Sequence, residues 1–164
     1  MKVLTLLRHA KSSWDDSSLA DHERPLNRRG EADAPTMAKR IHSASIRPSL
    51  IISSPAVRAW TTAKVLAREI TYPLEFLQRE ADLYLASVPT LLRVISEQDG
   101  GFNSLLVVGH NPGLTDFANY LVPGLTENLP TSGVVSVNFD SDTWDLSKPG
   151  IANLELYDYP KKAR

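Results

Sequence analysis

The chain has 164 residues, 42% hydrophobic and 23% charged, with a formal net charge of −1 and no cysteine. That length suits one domain, residues 1–164, with a core of its own. Near-neutral charge speaks against nucleic acid or an anionic membrane as the main partner. The lack of cysteine rules out disulfides, thiolate catalysis and cysteine-held metals, and suits the cytoplasm, where the protein is expected to act.

The apolar start, Met1 to Leu7, is too short to cross a bilayer and no small-residue cleavage site follows it. Val3 to Leu7 reads instead as a strand covered on both faces. An acidic surface loop, Asp15 to Glu23, carries His22. Gly30, Ala34, Met37, Ala38 and Ile41 then share a helical stripe, with Asn27 as its cap and Pro35 expected to kink it. Ser49 to Ile52 is the second apolar strand, and Ala59, Ala63, Leu66, Ala67 and Ile70 mark the second helix. Leu74 to Leu77 reads as a weaker strand. Ser87 caps a third helix along Val88, Leu91, Leu92 and Ile95. Ser104 to Val108 is the strongest strand, followed by a helix through Leu114, Phe117, Ala118 and Leu121. Val134 to Phe139, Thr143 to Leu146 and Ile151 to Tyr157 read as strands, with a turn at Lys148-Pro149-Gly150 and a solvated basic tail from Pro160 to Arg164. Alternation of this kind predicts an α/β domain with a mostly parallel sheet and helices on both faces. Such sheets bind ligands beyond the carboxyl ends of their strands.

Three strand ends carry related residues. The first runs into Arg8-His9, the second into Ser53-Ser54-Pro55-Ala56-Val57-Arg58, the third into Gly109-His110-Asn111-Pro112. Ser54 before Pro55, and Asn111 before Pro112, read as helix caps followed by a first-turn proline. A helix start beside arginines is a natural place for phosphate. Phosphoryl transfer needs an in-line nucleophile and positive donors around the equatorial oxygens. Neutral imidazole is a competent nucleophile, and neighbouring arginines both bind phosphoryl oxygens and disfavour its protonation. His22 and His42 read as surface histidines. No histidine has an i, i+4 ligand partner, so neither metal nor other cofactor is expected.

Leu6-Leu7-Arg8-His9-Ala10 resembles the signature of the histidine phosphatase superfamily, also called phosphoglycerate mutase-like, with Ala10 where glycine is usual. Ser53 to Ala59 with Thr61-Thr62-Ala63, and Val107 to Pro112, resemble its second and third motifs. Arg8 to Trp14, and Asp21 to Gly30 with Arg24-Pro25-Leu26, are similar to the small SixA phosphohistidine phosphatases. The resemblance implies a three-layer α/β/α fold. It implies His9 as nucleophile, a phosphate pocket of Arg8, Arg58 and His110, and Arg24 near the phosphate. Relatives of the mutase type place a leaving-group acid after the second motif, where Glu80 and Asp82 are the candidates.

The first expectation is a metal-independent phosphatase for a phosphohistidine protein, working through a phosphohistidine on His9. A small-molecule phosphomonoesterase, favoured by a usable Glu80 or Asp82, is the alternative. A phosphate-binding module without turnover comes third.

Overall fold

A computed structural model describes residues 1–163. The strands are β1 (Lys2–Arg8), β2 (Leu50–Ser53), β3 (Gln78–Arg79), β4 (Ser104–Gly109), β5 (Val134–Phe139) and β6 (Asn153–Asp158). The helices are α1 (Arg28–Ser43), α2 (Val57–Glu69), α3 (Val88–Ser96) and α4 (Gly113–Leu121). One sheet orders the strands β3-β2-β4-β1-β5-β6. The first four run parallel, and β5 pairs antiparallel with both β1 and β6.

The two-residue period of a strand divides the apolar runs between two cores. Leu4 and Leu6 of β1, with Leu105 and Val107 of β4, pack with Leu91, Val94 and Ile95 of α3 and Phe117 and Leu121 of α4. Leu7, Ile51, Leu106 and Val108 face the other way, onto Met37 and Ile41 of α1 and Ala59, Ala63 and Leu66 of α2. The result is three layers, α/β/α, around a mixed sheet whose centre is parallel. Among the described residues no helix is long and apolar enough to cross a membrane.

Register brings the strand ends level. Arg8 lies opposite Gly109, and Ser53 opposite Val108. The exits stay tied together: His9 N–H donates to the Gly109 carbonyl at 3.1 Å and Ser54 N–H to that of Val108 at 3.0 Å. Because β5 is antiparallel, its start lies at the same end, and Ser132 N–H donates to the Arg8 and His9 carbonyls.

Local expectations hold in part. Asn27 caps α1, its Oδ1 accepting from Gly30 N–H at 2.8 Å, while the helix continues through Pro35. Gly30 has a tertiary reason to be glycine: a Cβ there would stand 2.1 Å from the Lys11 carbonyl oxygen. Leu74 to Leu77 is a single tight turn, not a strand. Phe76 and Leu77 donate back to Pro73 and Leu74, and only Leu77 of the four is buried. Thr143 to Leu146 is likewise no strand. Its apolar residues fill the end of a core instead: Trp144 meets Phe139 edge-on and donates Nε1–H to the Phe102 carbonyl, and Leu146 is buried. Arg164, the last residue of the basic tail, lies outside the described residues.

Candidate active site

The three strand exits frame a cavity of about 230 Å³, with Arg8, His9, Arg24, Arg58 and His110 in its wall. The structure thus brings together the five residues that sequence motifs single out. The His9 and His110 rings lie 5.1 Å apart. Glu80 and Asp82 do not line the cavity. Glu80 caps the short turn Ala81–Leu83, and exposed Asp82 pairs with Arg93 at 2.8 Å. His22 and His42 are exposed and also lie outside its wall.

His9 is held in one tautomer. Its Nδ1 lies 2.7 Å from the Ala10 carbonyl oxygen, which can only accept, so Nδ1 carries the proton and Nε2 keeps its lone pair. Burial above all, with the charges of His110, Arg58 and Arg8, pushes its pKa down to about 3, against the opposing pull of the Ala10 carbonyl. His110 Nε2 lies 2.7 Å from Ser54 Oγ. That oxygen also accepts from Ala56 N–H, at 3.3 Å. Ser54 therefore serves the histidine instead of capping α2, which begins at Val57 with Ala56 at the cap. The third motif differs in the same way. Pro112 occupies the cap of α4, its peptide bond with Asn111 is cis, and Asn111 Oδ1 accepts from the Thr115 amide and hydroxyl. Burial and the Arg58 charge bring His110 down to about 4.

Both rings are therefore neutral near pH 7, and the sign of the pH dependence follows. Water restores an imidazole to about 6.5. Between that value and the folded values of about 3 and about 4, the unfolded chain binds more protons. The stability that depends on neutral rings is complete above about pH 6.5 and is lost as pH falls toward the folded values. In an NMR titration of the unliganded protein, the His9 and His110 ring signals are expected to remain those of neutral imidazole down to about pH 5. A midpoint near 6.5 for either would contradict this account.

The arginines are organised by a residue the motifs do not single out. Asp21 Oδ2 accepts from Arg58 at 3.0 Å and from the Tyr84 hydroxyl; Oδ1 accepts from Arg24 Nε at 3.2 Å. The Asp21 backbone carbonyl takes a further bond from Arg58, at 2.7 Å. The Tyr84 hydroxyl first, then Arg58 and Arg24, hold the Asp21 carboxyl at about 2, against the opposing effect of partial burial. The acidic loop is thus not merely solvated: its end folds into a tight turn, Asp21–Glu23, against Arg24 and Arg58. Only the Asp21-x-x-Arg24 spacing hints at this, since the contact to Arg58 spans 37 residues. Arg8 has no such acid. It donates to the Leu129 carbonyl, and no carboxylate among the described residues pairs with it. Burial and the Arg58 charge both work against its cation.

Three buried polar atoms in this wall lack a protein partner: Arg8 Nε, Arg58 Nε and His110 Nδ1. The two arginine nitrogens are N–H donors. Buried donors without partners are costly, and the cationic side chains of this wall suit an oxyanion.

The family model described as histidine phosphatase superfamily (branch 1) matches residues 4–84. An uncharacterised chloroplastic protein of Arabidopsis thaliana is 34% identical, over 93% of this chain and 75% of its own. A SixA from Agrobacterium tumefaciens, assigned as a phosphohistidine phosphatase, superposes with a TM-score of 0.82 at 27% identity, covering 97% of this chain and 98% of that one. The protein histidine phosphatase SixA solved with tungstate gives a TM-score of 0.79 at 21% identity, over 96% of each chain. On these matches the chain belongs to the histidine phosphatase superfamily, and is a phosphatase of its SixA type.

Proposed function

We propose that the protein is a metal-independent phosphohistidine phosphatase in which His9 is the nucleophile. The observation that carries this reading is the convergence of Arg8, Arg24, Arg58 and His110 in one cavity wall with a neutral His9 whose Nε2 lone pair is free. Nε2 attacks phosphorus, the bond from phosphorus to the substrate's imidazole nitrogen breaks, and that nitrogen takes a proton from solvent. Water then attacks the phosphoryl group on His9, releasing inorganic phosphate and restoring the imidazole. Arg8, Arg58 and His110 stabilise the charge on the phosphoryl oxygens, as preorganised donors do. Arg24 adds positive charge at the cavity wall.

The leaving group follows from the acids. Among the described residues no Asp or Glu lines the cavity, Asp82 is paired with Arg93, and Asp21 is ionised and tied to the arginines. An alkoxide needs a proton in the transition state; an imidazole departs with far less help. This favours phosphohistidine over a sugar phosphate and leaves Glu80 and Asp82 without a part in the reaction. The tungstate-bound SixA adds support, since tungstate is a tetrahedral oxyanion like phosphate.

The test is phosphate release in the presence of a chelator, from a protein phosphorylated on histidine and from a panel of sugar and alkyl phosphates. The expected result is a kcat/KM at least about a hundredfold higher for the phosphohistidine protein. Equal rates on the monoesters, or dependence on added metal, would replace this reading with a small-molecule or metal-assisted phosphatase.

A further inference from the structure

The cavity is charged at its floor and apolar at part of its mouth. Trp14 and Leu85 both line it, yet they are 75% and 53% exposed. Large apolar side chains held in water at the edge of a charged pocket are not core packing, and they mark a surface for a partner. Leu85 has a further peculiarity. Its φ of 50° lies in the left-handed region, which a branched side chain rarely adopts without a reason in the surrounding structure.

Trp14 is not loose. The Arg24 guanidinium sits 3.5 Å from the centre of its ring. Arg24 is itself fixed, by Asp21 at Nε and by the Ser12 hydroxyl and Ser13 carbonyl at Nη1. One indole face therefore rests on a buried, anchored cation, a cation–π contact that orients the ring. With three quarters of the side chain in solvent, the opposite face is open. A 230 Å³ cavity also has room beyond a phosphoryl group for the ring attached to it.

We propose that Trp14 is a leaving-group platform. Its open face stacks on the imidazole to which the phosphoryl group is bound, and Leu85 closes the apolar edge. The platform makes the site selective for phosphoryl groups carried on flat rings over those on small or saturated groups. It rests on the phosphohistidine reading for its natural substrate, but not for its test.

The test compares leaving groups on the same enzyme. Wild type, Trp14→Ala and Trp14→Phe are assayed with a phosphohistidine peptide, with p-nitrophenyl phosphate and with phosphoramidate, whose leaving group is ammonia. The quantity read is the ratio of kcat/KM for each ring substrate to that for phosphoramidate. Trp14→Ala is expected to lower both ratios about tenfold, and Trp14→Phe to hold them within about threefold, since a phenyl ring still stacks. Equal losses on all three substrates would mean that Trp14 only steadies Arg24, and ratios that do not move would mean that the indole never meets the ring. Either result overturns the platform. The phosphohistidine reading fails separately, if wild type turns over the aryl phosphate but not the peptide; the aryl ratio then decides the platform alone.

Discussion

His9→Ala is expected to lower turnover of every substrate at least about a thousandfold, because the variant loses the atom on which the covalent intermediate forms. The ring cannot be replaced by a neighbour. His110 is only 5.1 Å away, but its Nε2 is occupied by Ser54. Wild type stopped in mid-turnover should carry phosphate on His9, stable to base and labile to acid, as a phosphorus–nitrogen bond requires. Peptide mapping of the trapped protein locates it. A variant that kept a tenth of wild-type turnover, or a phosphate mapped to another residue, would end the covalent mechanism. Urea unfolding of the variant separates chemistry from folding.

Arg58→Ala is the second large effect, expected to lower kcat about 10²- to 10³-fold, the range found when one preorganised donor is removed from an anionic transition state. Arg58 is 3% exposed and does two things at once. Both of its terminal nitrogens hold Asp21, and the side chain forms part of the cavity wall. Lysine keeps the charge but lacks the fork, so Arg58→Lys should recover less than a tenth of the loss. Asp21→Asn keeps the shape and removes the charge that orients the fork. Its effect should be smaller, about tenfold, and should largely disappear in an Arg58→Ala background, because the two residues act as one unit. Kinetics of the four proteins on one substrate decide this. Additive losses would separate Asp21 from Arg58, and a loss below tenfold for Arg58→Ala would remove it from the transition state.

The sequence by itself determined the layers and the place of the proposed nucleophile. Continuous apolar runs at Val3 to Leu7 and Ser104 to Val108 suited strands covered twice, and helical stripes between them supplied the covers. Ligand sites of parallel sheets lie at the carboxyl ends, so Arg8, His9, Arg58 and His110 were legible as one group before any coordinate was known. Local pattern misled at Leu74 to Leu77, a tight turn with Leu74 and Phe76 exposed, and at Thr143 to Leu146, where Trp144 and Leu146 serve the core without pairing. It misled again at Ser54, a good cap by type, whose hydroxyl is taken by a histidine 56 residues away.

Tertiary structure alone decided the rest, because those contacts join residues that no period or spacing relates. Asp21 meets Arg58 and Tyr84 only once the acidic loop folds over the start of α2. Which nitrogen of His9 carries the proton depends on the Ala10 carbonyl, not on the motifs. The exclusion of Glu80 and Asp82 from the cavity wall is likewise a fact of packing. His9 was named by its neighbours in sequence; its neutral ring, its free Nε2 and its lack of an acid partner come from its neighbours in space.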